Sequence, residues 1–305
     1  MQQTDDPCRT SWRGRMPRVR PAGVRMYLVA GGLVLLLSGC DMDRIFLFFP
    51  TADLITTPHS AGLAYEDVYF HSADGIRLHG WFVPGQAGAP LILFFHGNAG
   101  NISHRVDNLR LFHEQLGVSV LIVSYRGYGR SGGSPDEAGT YADARAALAW
   151  LQRQGRDHRP LIYFGRSLGA AVATQLATEH PPAGLVLESP FTSVAEMGRR
   201  HYPVLYPLFG RLVRSSYDSL GKIDRIGAPL LILHGDRDRI VAPRMAEELF
   251  ARARHPKTFH LITGAGHNDT LSHATTAYWR TWRVFIETLA AAQRPPTGQE
   301  QPAGP

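Results

Sequence analysis

The chain has 305 residues, 44% of them hydrophobic and 19% charged, with a formal net charge of +6. Six arginines against Asp5 and Asp6 place four of those six net charges in the first 39 residues, so the basic balance belongs to the leader and gives nucleic-acid binding no support. The two cysteines, Cys8 and Cys40, exclude a disulfide framework, and the 266 residues from Cys40 onward suit one α/β domain of ordinary size.

Arg9, Arg13, Arg15, Arg18, Arg20 and Arg25 precede an uncharged stretch of fourteen residues, 26–39. Fourteen residues are short for a membrane span and right for the core of a signal peptide. The stretch ends in Leu37-Ser38-Gly39-Cys40, which resembles a bacterial lipoprotein cleavage box. The expectation is a lipoprotein signal peptide over 1–39 and lipidation of Cys40. An uncleaved anchor or a non-lipidated signal is the alternative, and Met16 and Met26 are alternative starts. Asp41 directly after the cysteine predicts a cell-envelope lipoprotein of the inner membrane, facing the periplasm. Two or three acyl chains would hold it there firmly, whereas one chain gives only marginal binding. Residues 40–64 are expected to form a membrane-proximal anchor segment. Within it, Arg44-Ile-Phe-Leu-Phe-Phe-Pro50 either lies at the bilayer interface or covers an apolar groove on the body.

From residue 65 the pattern is that of one doubly wound α/β domain reaching about residue 292. Residues 65–71 and 76–83 predict an antiparallel hairpin about Asp74-Gly75, a strong turn signal. Strand runs near 91–95, 118–124, 160–164, 184–188, 229–234 and 258–262 alternate with helical stretches. Their near-continuous Val, Ile and Leu is that of parallel strands buried on both faces. Ser134-Pro135-Asp136-Glu137 reads as a helix start with Ser134 as N-cap and Glu137 as its capping-box partner. In the helix over 141–152, Ala144, Ala147, Leu148 and Leu151 form one apolar face. A single irregular insertion, about 191–227, occupies the position of a short cap. A last helix is expected over about 270–292, followed by a disordered tail, 293–305, rich in Pro, Gly and Gln.

The chemistry begins at Gly165-Arg166-Ser167-Leu168-Gly169, which lies between the strand at 161–164 and a small-residue helix. In that strand–turn–helix setting G-x-S-x-G is a nucleophile elbow, with the serine hydroxyl pushed out of the sheet. A serine hydroxyl is a weak nucleophile alone and needs a base, an orienting acid and donors for the oxyanion. Downstream, the strand 229–234 ends in Gly235-Asp236-Arg237-Asp238, and the strand 258–262 leads to Gly264-Ala265-Gly266-His267. Ser167 as nucleophile, Asp238 as acid and His267 as base follow the ends of three strands, where sites of open α/β sheets collect. Asp236 is the rival acid. His234, His260 and His273 read as structural histidines. The loop His96-Gly97-Asn98-Ala99-Gly100 follows another strand; Asn98 is the expected oxyanion donor, with Gly97 as the alternative, and Leu168 supplies the second N–H. Two look-alikes are set aside. Gly129-Arg-Ser131-Gly-Gly133 follows a loop rather than a strand, so Ser131 has no elbow. Gly127-Tyr-Gly-Arg-Ser-Gly132 lacks the acidic residue that a dinucleotide site requires.

With these motifs in register, the chain resembles the α/β-hydrolase superfamily, and within it the membrane-associated, depalmitoylase-like serine hydrolases and their bacterial relatives. The likeness runs from about Tyr65 to Leu289 and includes Phe95–Asn101, Tyr125–Ser131, Gly165–Gly169, Glu188–Thr192, His234–Val241 and Gly264–Asp269. It implies an eight-stranded, mostly parallel α/β-hydrolase sheet, the triad Ser167, Asp238 and His267, and no metal or organic cofactor. The implied activity is cleavage of carboxylic esters or thioesters by a monomer held to a membrane through its lipid. The alternatives are a peptidase using the same triad and a catalytically silent envelope scaffold.

Overall fold

The computed structural model describes Asp43, residues 47–156 and residues 160–292. The predicted leader, Cys40, Asp41 and the tail 293–305 lie outside the described residues.

In chain order the elements are β1 (Phe49–Pro50), β2 (Glu66–His71), β3 (Arg77–Val83), β4 (Leu91–Phe95), β5 (Ala99–Gly100), α1 (Val106–Leu116) and β6 (Ser119–Ser124). They continue with α2 (Glu137–Arg153), β7 (Leu161–Arg166), α3 (Leu168–Glu179), β8 (Gly184–Glu188), α4 (Val194–His201) and α5 (Tyr206–Phe209). The last are β9 (Leu230–Gly235), α6 (Pro243–Arg252), β10 (Lys257–Ile262) and α7 (Thr276–Ala292).

Eight strands form one sheet in the order β10-β9-β8-β7-β4-β6-β3-β2. β3 runs antiparallel to both β2 and β6, and the other pairs are parallel. Side chains alternate across each strand, and here both faces are covered. On β4, Leu91, Leu93 and Phe95 pack with the layer that contains Ala144, Leu148, Leu151 and Leu176. Ile92 and Phe94 point the other way, into the layer of Leu109, Phe112, Trp279 and Trp282. That double cover is why β4, β6, β8 and β9 are buried along their whole length. At the edge, β2 buries only Val68 and Phe70 in alternation. The predicted face of α2, Ala144, Ala147, Leu148 and Leu151, is buried as a unit.

Two expectations change, and a third, left open between two alternatives, is narrowed. The N-cap of α2 is Asp136, not Ser134: its extended backbone and its carboxylate, which accepts the Gly139 N–H at 2.6 Å, start the helix. With Asp136 as N-cap, Glu137 falls at the first helical position rather than the third, where a capping box needs it, and its carboxylate accepts the N–H groups of Ser216 and Tyr217. The last helix begins at Thr276 rather than near 270, because Thr270 is buried with its hydroxyl donating to Glu188 at 2.8 Å and residues 271–274 turn about Asp269. The third concerns Arg44–Pro50, of which residues 47–50 pack on the body. Phe48 is buried edge-on to Tyr217, and Phe49–Pro50 pair in parallel with Ala99–Gly100.

The cap consists of α4, α5 and a short 3₁₀ turn, Gly210–Leu212. A Cβ on Gly198 would lie 2.2 Å from the Tyr206 ring, so a glycine is needed for the two short helices to touch. Val204, Leu205, Leu208 and Phe209 stay exposed, and Leu205 and Phe209 line the cavity that also holds Ser167. Among the described residues no helix is long and apolar enough to cross a membrane.

Candidate active site

Strand β7 delivers Ser167 into a turn that almost no other sequence could make. Ser167 has φ 53° and ψ −115°, a strained conformation for a residue with a side chain that costs roughly 1–3 kcal/mol. Its N–H donates to the carbonyl of Glu188 at 2.9 Å, and its own carbonyl accepts the Ala170 N–H at 2.9 Å. A Cβ on Gly165 would fall 2.2 Å from the carbonyl oxygen of Gly169, and one on Gly169 would fall 2.0 Å from that of Phe95. Both glycines are therefore dictated by main-chain contact, and the elbow geometry follows from them.

His267 Nε2 lies 3.0 Å from Ser167 Oγ, and its Nδ1 lies 2.7 Å from Asp238 Oδ2. Side chains separated by 100 and 29 residues of chain thus meet in one line. The other oxygen of Asp238 accepts the N–H groups of Ile240 and Val241 at 2.9 and 2.8 Å. Burial would raise this carboxyl's pKa, but the bonds to His234 and His267 outweigh it and hold it well below the usual carboxylate range. Asp238 is thus an anion at any working pH, suited to fixing Nδ1–H and stabilising an imidazolium.

Asp236, the rival acid, is engaged elsewhere, accepting the Gly264 N–H at 2.7 Å and so closing the turn that leads to His267. His260 and His273 sit on Thr281 and on the Asp269 carbonyl. His234 is a core residue, as its place inside a strand suggests, yet it also braces the acid. Its Nε2 is 3.0 Å from the Val241 carbonyl and 3.4 Å from Asp238 Oδ2. Ser131 is tied into the sheet, donating to the Ser124 carbonyl and accepting the His79 N–H.

Gly97, Asn98 and Leu168 line the same cavity as Ser167 and His267. Leu168 is the first residue of α3, where main-chain N–H groups have no partner inside the helix. The Asn98 side chain is turned into structure: its Oδ1 accepts the Phe49 N–H at 3.2 Å and the Tyr128 hydroxyl at 3.0 Å. Tyr125 donates to the His96 carbonyl at 3.0 Å and stacks on the His96 ring. Complete burial and the nearby Arg105 charge push the His96 imidazole down to about 3, so it is a neutral wedge behind the loop. Asn101 adds a further tie, donating to the carbonyls of Thr51 and Asp53. Cys40, the predicted lipidation site, lies outside the described residues.

One group of positioning residues was not singled out from the sequence. Arg166 and Glu188 form a buried ion pair at 3.0 Å, and Glu188 also accepts from Thr270 and Tyr278. Arg166 Nη2 then donates to the main-chain carbonyl of His267 at 2.5 Å. The signal was present: a glutamate closing an otherwise apolar buried strand needs a partner.

The cavity above these groups measures about 530 Å³. Its walls are mostly apolar, from Phe49, Phe191, Leu205, Phe209 and Val213, and among the described residues no aspartate or glutamate lines it. Among the described residues no group of three or more His, Cys, Asp or Glu side chains could hold a metal ion.

The profile of the family described as "Serine aminopeptidase, S33" matches residues 87–222 and 208–271. The chain belongs to this family of α/β-hydrolases. An uncharacterised Mycobacterium tuberculosis protein, Rv2307c, is 43% identical over 255 residues, covering 83% of this chain and 89% of that protein. The α/β-hydrolase domain-containing protein WAV2 of Arabidopsis thaliana is 37% identical over 257 residues, 78% and 83% of the two chains. In three dimensions this α/β-hydrolase superposes on the Pyrococcus furiosus esterase Pf2001 with a TM-score of 0.65 at 22% identity, covering 79% of this chain and 98% of the esterase. That likeness is one of fold.

Proposed function

We propose that the protein is a serine hydrolase that cleaves carboxylic esters or thioesters through an acyl-enzyme. The observation that carries this reading is His267 standing between Ser167 and Asp238, at 3.0 and 2.7 Å. In the proposed reaction His267 Nε2 takes the Ser167 proton as Oγ attacks the substrate carbonyl carbon. The main-chain N–H groups of Leu168 and of Asn98 or Gly97 receive the oxyanion. The imidazolium, held by Asp238, returns the proton to the leaving alcohol or thiol, and water then releases the acid by the same steps.

The family's printed description raises the aminopeptidase alternative. An aminopeptidase must hold a substrate ammonium, which calls for a carboxylate in the pocket. Among the described residues, the charged side chains that line this cavity are instead Arg105 and Arg166, which favours the ester reading. The test is direct. Wild-type protein is expected to hydrolyse a short p-nitrophenyl ester and to label with a fluorophosphonate. Ser167→Ala should lose both; undiminished turnover by that variant, or cleavage confined to aminoacyl amides, would overturn the proposal.

The proposal includes an envelope anchor at Cys40. It is supported by the Leu37–Cys40 motif. Labelled palmitate should enter the wild-type protein and not Cys40→Ala; equal labelling of both would rule the anchor out.

A further inference from the structure

Arg105 stands in the cavity above Ser167 without an ion-pair partner of its own among the described residues. It is the residue just before α1, at the end of the loop that carries Gly97 and Asn98. Its Nη2 donates to the carbonyl of Ala99 at 2.9 Å, while its Nε is buried and meets no hydrogen-bond partner. Among the described residues no carboxylate forms an ion pair with it. The one carboxylate that acts on it electrostatically is Glu188, already bonded to Arg166, Thr270 and Tyr278. Two guanidiniums therefore share the charge of one carboxylate beside the nucleophile, in a pocket whose other walls are mostly hydrocarbon. Burial, with repulsion from Arg166, pulls Arg105 down to about 10, which still leaves it charged at neutral pH.

A cation withdrawn from water without a partner is costly. A structural role at the Ala99 carbonyl needs only one neutral donor, so it does not explain the charge. A ligand that brings its own anion does explain it. We infer that Arg105 is a specificity residue that receives a carboxylate or phosphate carried by the ester or thioester substrate. The guanidinium fork matches such oxygen acids bidentately, and Arg105 lines the cavity with only one of its nitrogens, Nη2, engaged by a hydrogen bond. The substrate class becomes an amphiphile, with an apolar chain along Phe49, Leu205 and Phe209 and an anionic group at Arg105. This inference rests on the hydrolase reading above.

The test uses two matched pairs of substrates. One pair places the anion on the acyl side: the mono-p-nitrophenyl ester of octanedioic acid against p-nitrophenyl octanoate. The other places it on the leaving group: 1-octanoylglycerol 3-phosphate against 1-octanoylglycerol. Wild-type protein should prefer the anionic member of one pair by about ten- to a hundredfold in kcat/KM, the range of a charge-assisted hydrogen bond, and the pair concerned locates the anion. Arg105→Gln should collapse that ratio through KM, and Arg105→Lys should restore part of it. If loss of the Ala99 contact weakens the fold of the variants, inhibition of the wild-type protein answers the same question: octyl phosphate should inhibit at least about tenfold more strongly than octanol. No anionic preference in either pair, a ratio unchanged in Arg105→Gln, or equal inhibition by the two octyl compounds would overturn the inference while hydrolysis of the neutral esters continued. Failure to hydrolyse any of the four, with no fluorophosphonate labelling, would remove the hydrolase reading and this inference with it.

Discussion

Arg166 and His267 lie 101 residues apart in sequence, and the guanidinium of the first holds the main-chain carbonyl of the second at 2.5 Å. The residue before Ser167 thereby fixes the loop that carries the imidazole. Arg166 is itself fixed by Glu188, buried at the end of β8. Arg166→Gln is expected to act twice. Leaving Glu188 buried without its ion-pair partner costs about 3 kcal/mol of stability, the low end for a broken buried pair because Thr270 and Tyr278 still donate to it, and loosening the His267 loop lowers kcat about a hundredfold. Adding Glu188→Gln should recover much of the stability, read by urea unfolding, without recovering kcat. Recovery of both together would mean that Arg166 serves the fold alone.

The two aspartates of the loop after β9 should separate cleanly. Asp238 faces His267 Nδ1 and is held ionised by its hydrogen bonds, whereas Asp236 ties Gly264. Asp238→Asn should lower kcat by about 10⁴, through loss of the correct tautomer and of charge stabilisation. Asp236→Asn should change kcat by less than about tenfold, the scale of one lost hydrogen bond. Steady-state kinetics on a p-nitrophenyl ester decide it, and a reversed order would transfer the acid's role to Asp236.

Much of this site was legible because its determinants are local. Gly165 and Gly169 sit two residues either side of Ser167, and the same spacing that reads as a motif is what the main-chain contacts of Phe95 and Gly169 enforce. The eight strands were legible for a similar reason, since burial on both faces writes unbroken Leu, Ile and Val into β4, β6 and β9. What could not be seen depends on pairing across the chain. Asn98 holds Phe49, and Arg166 reaches His267; the residue types alone do not fix such partners. The start of α2 failed for a different reason. Ser134 and Asp136 are both good caps and Pro135 is compatible with either; what separates them is which side chain meets an N–H three residues on, and that is Asp136 at Gly139.

The elbow glycines give a stability test with a built-in control. Gly169→Ala puts a methyl 2.0 Å from the Phe95 carbonyl oxygen, with no flexible side chain to yield. It should destabilise by at least about 3 kcal/mol, beyond ordinary overpacking. At exposed Gly227 an added Cβ meets nothing within 4 Å. Gly227→Ala is therefore expected to be neutral or to stabilise by up to about 1 kcal/mol through the unfolded chain. Similar midpoints for the two variants in urea would contradict the close approach of α3 to β4.

His96 should leave a signature in the pH dependence of stability. Its folded-state value, about 3, lies below the ordinary 6.5 of an exposed imidazole because burial disfavours the charged form. Between those values the unfolded chain binds a proton that the folded chain does not. Its contribution to stability is therefore complete above about pH 6.5 and is lost progressively as pH falls toward 3, with a limiting slope of about 1.4 kcal/mol per pH unit. His96→Gln removes that proton from both states. The variant starts less stable at pH 7, since Gln does not replace the ring contacts with Tyr125 and Tyr128, but its stability should fall less steeply between pH 6 and 4. Urea unfolding of both proteins across that range gives the two slopes, and parallel lines would show that His96 becomes protonated inside the fold, behind the loop that holds Gly97 and Asn98.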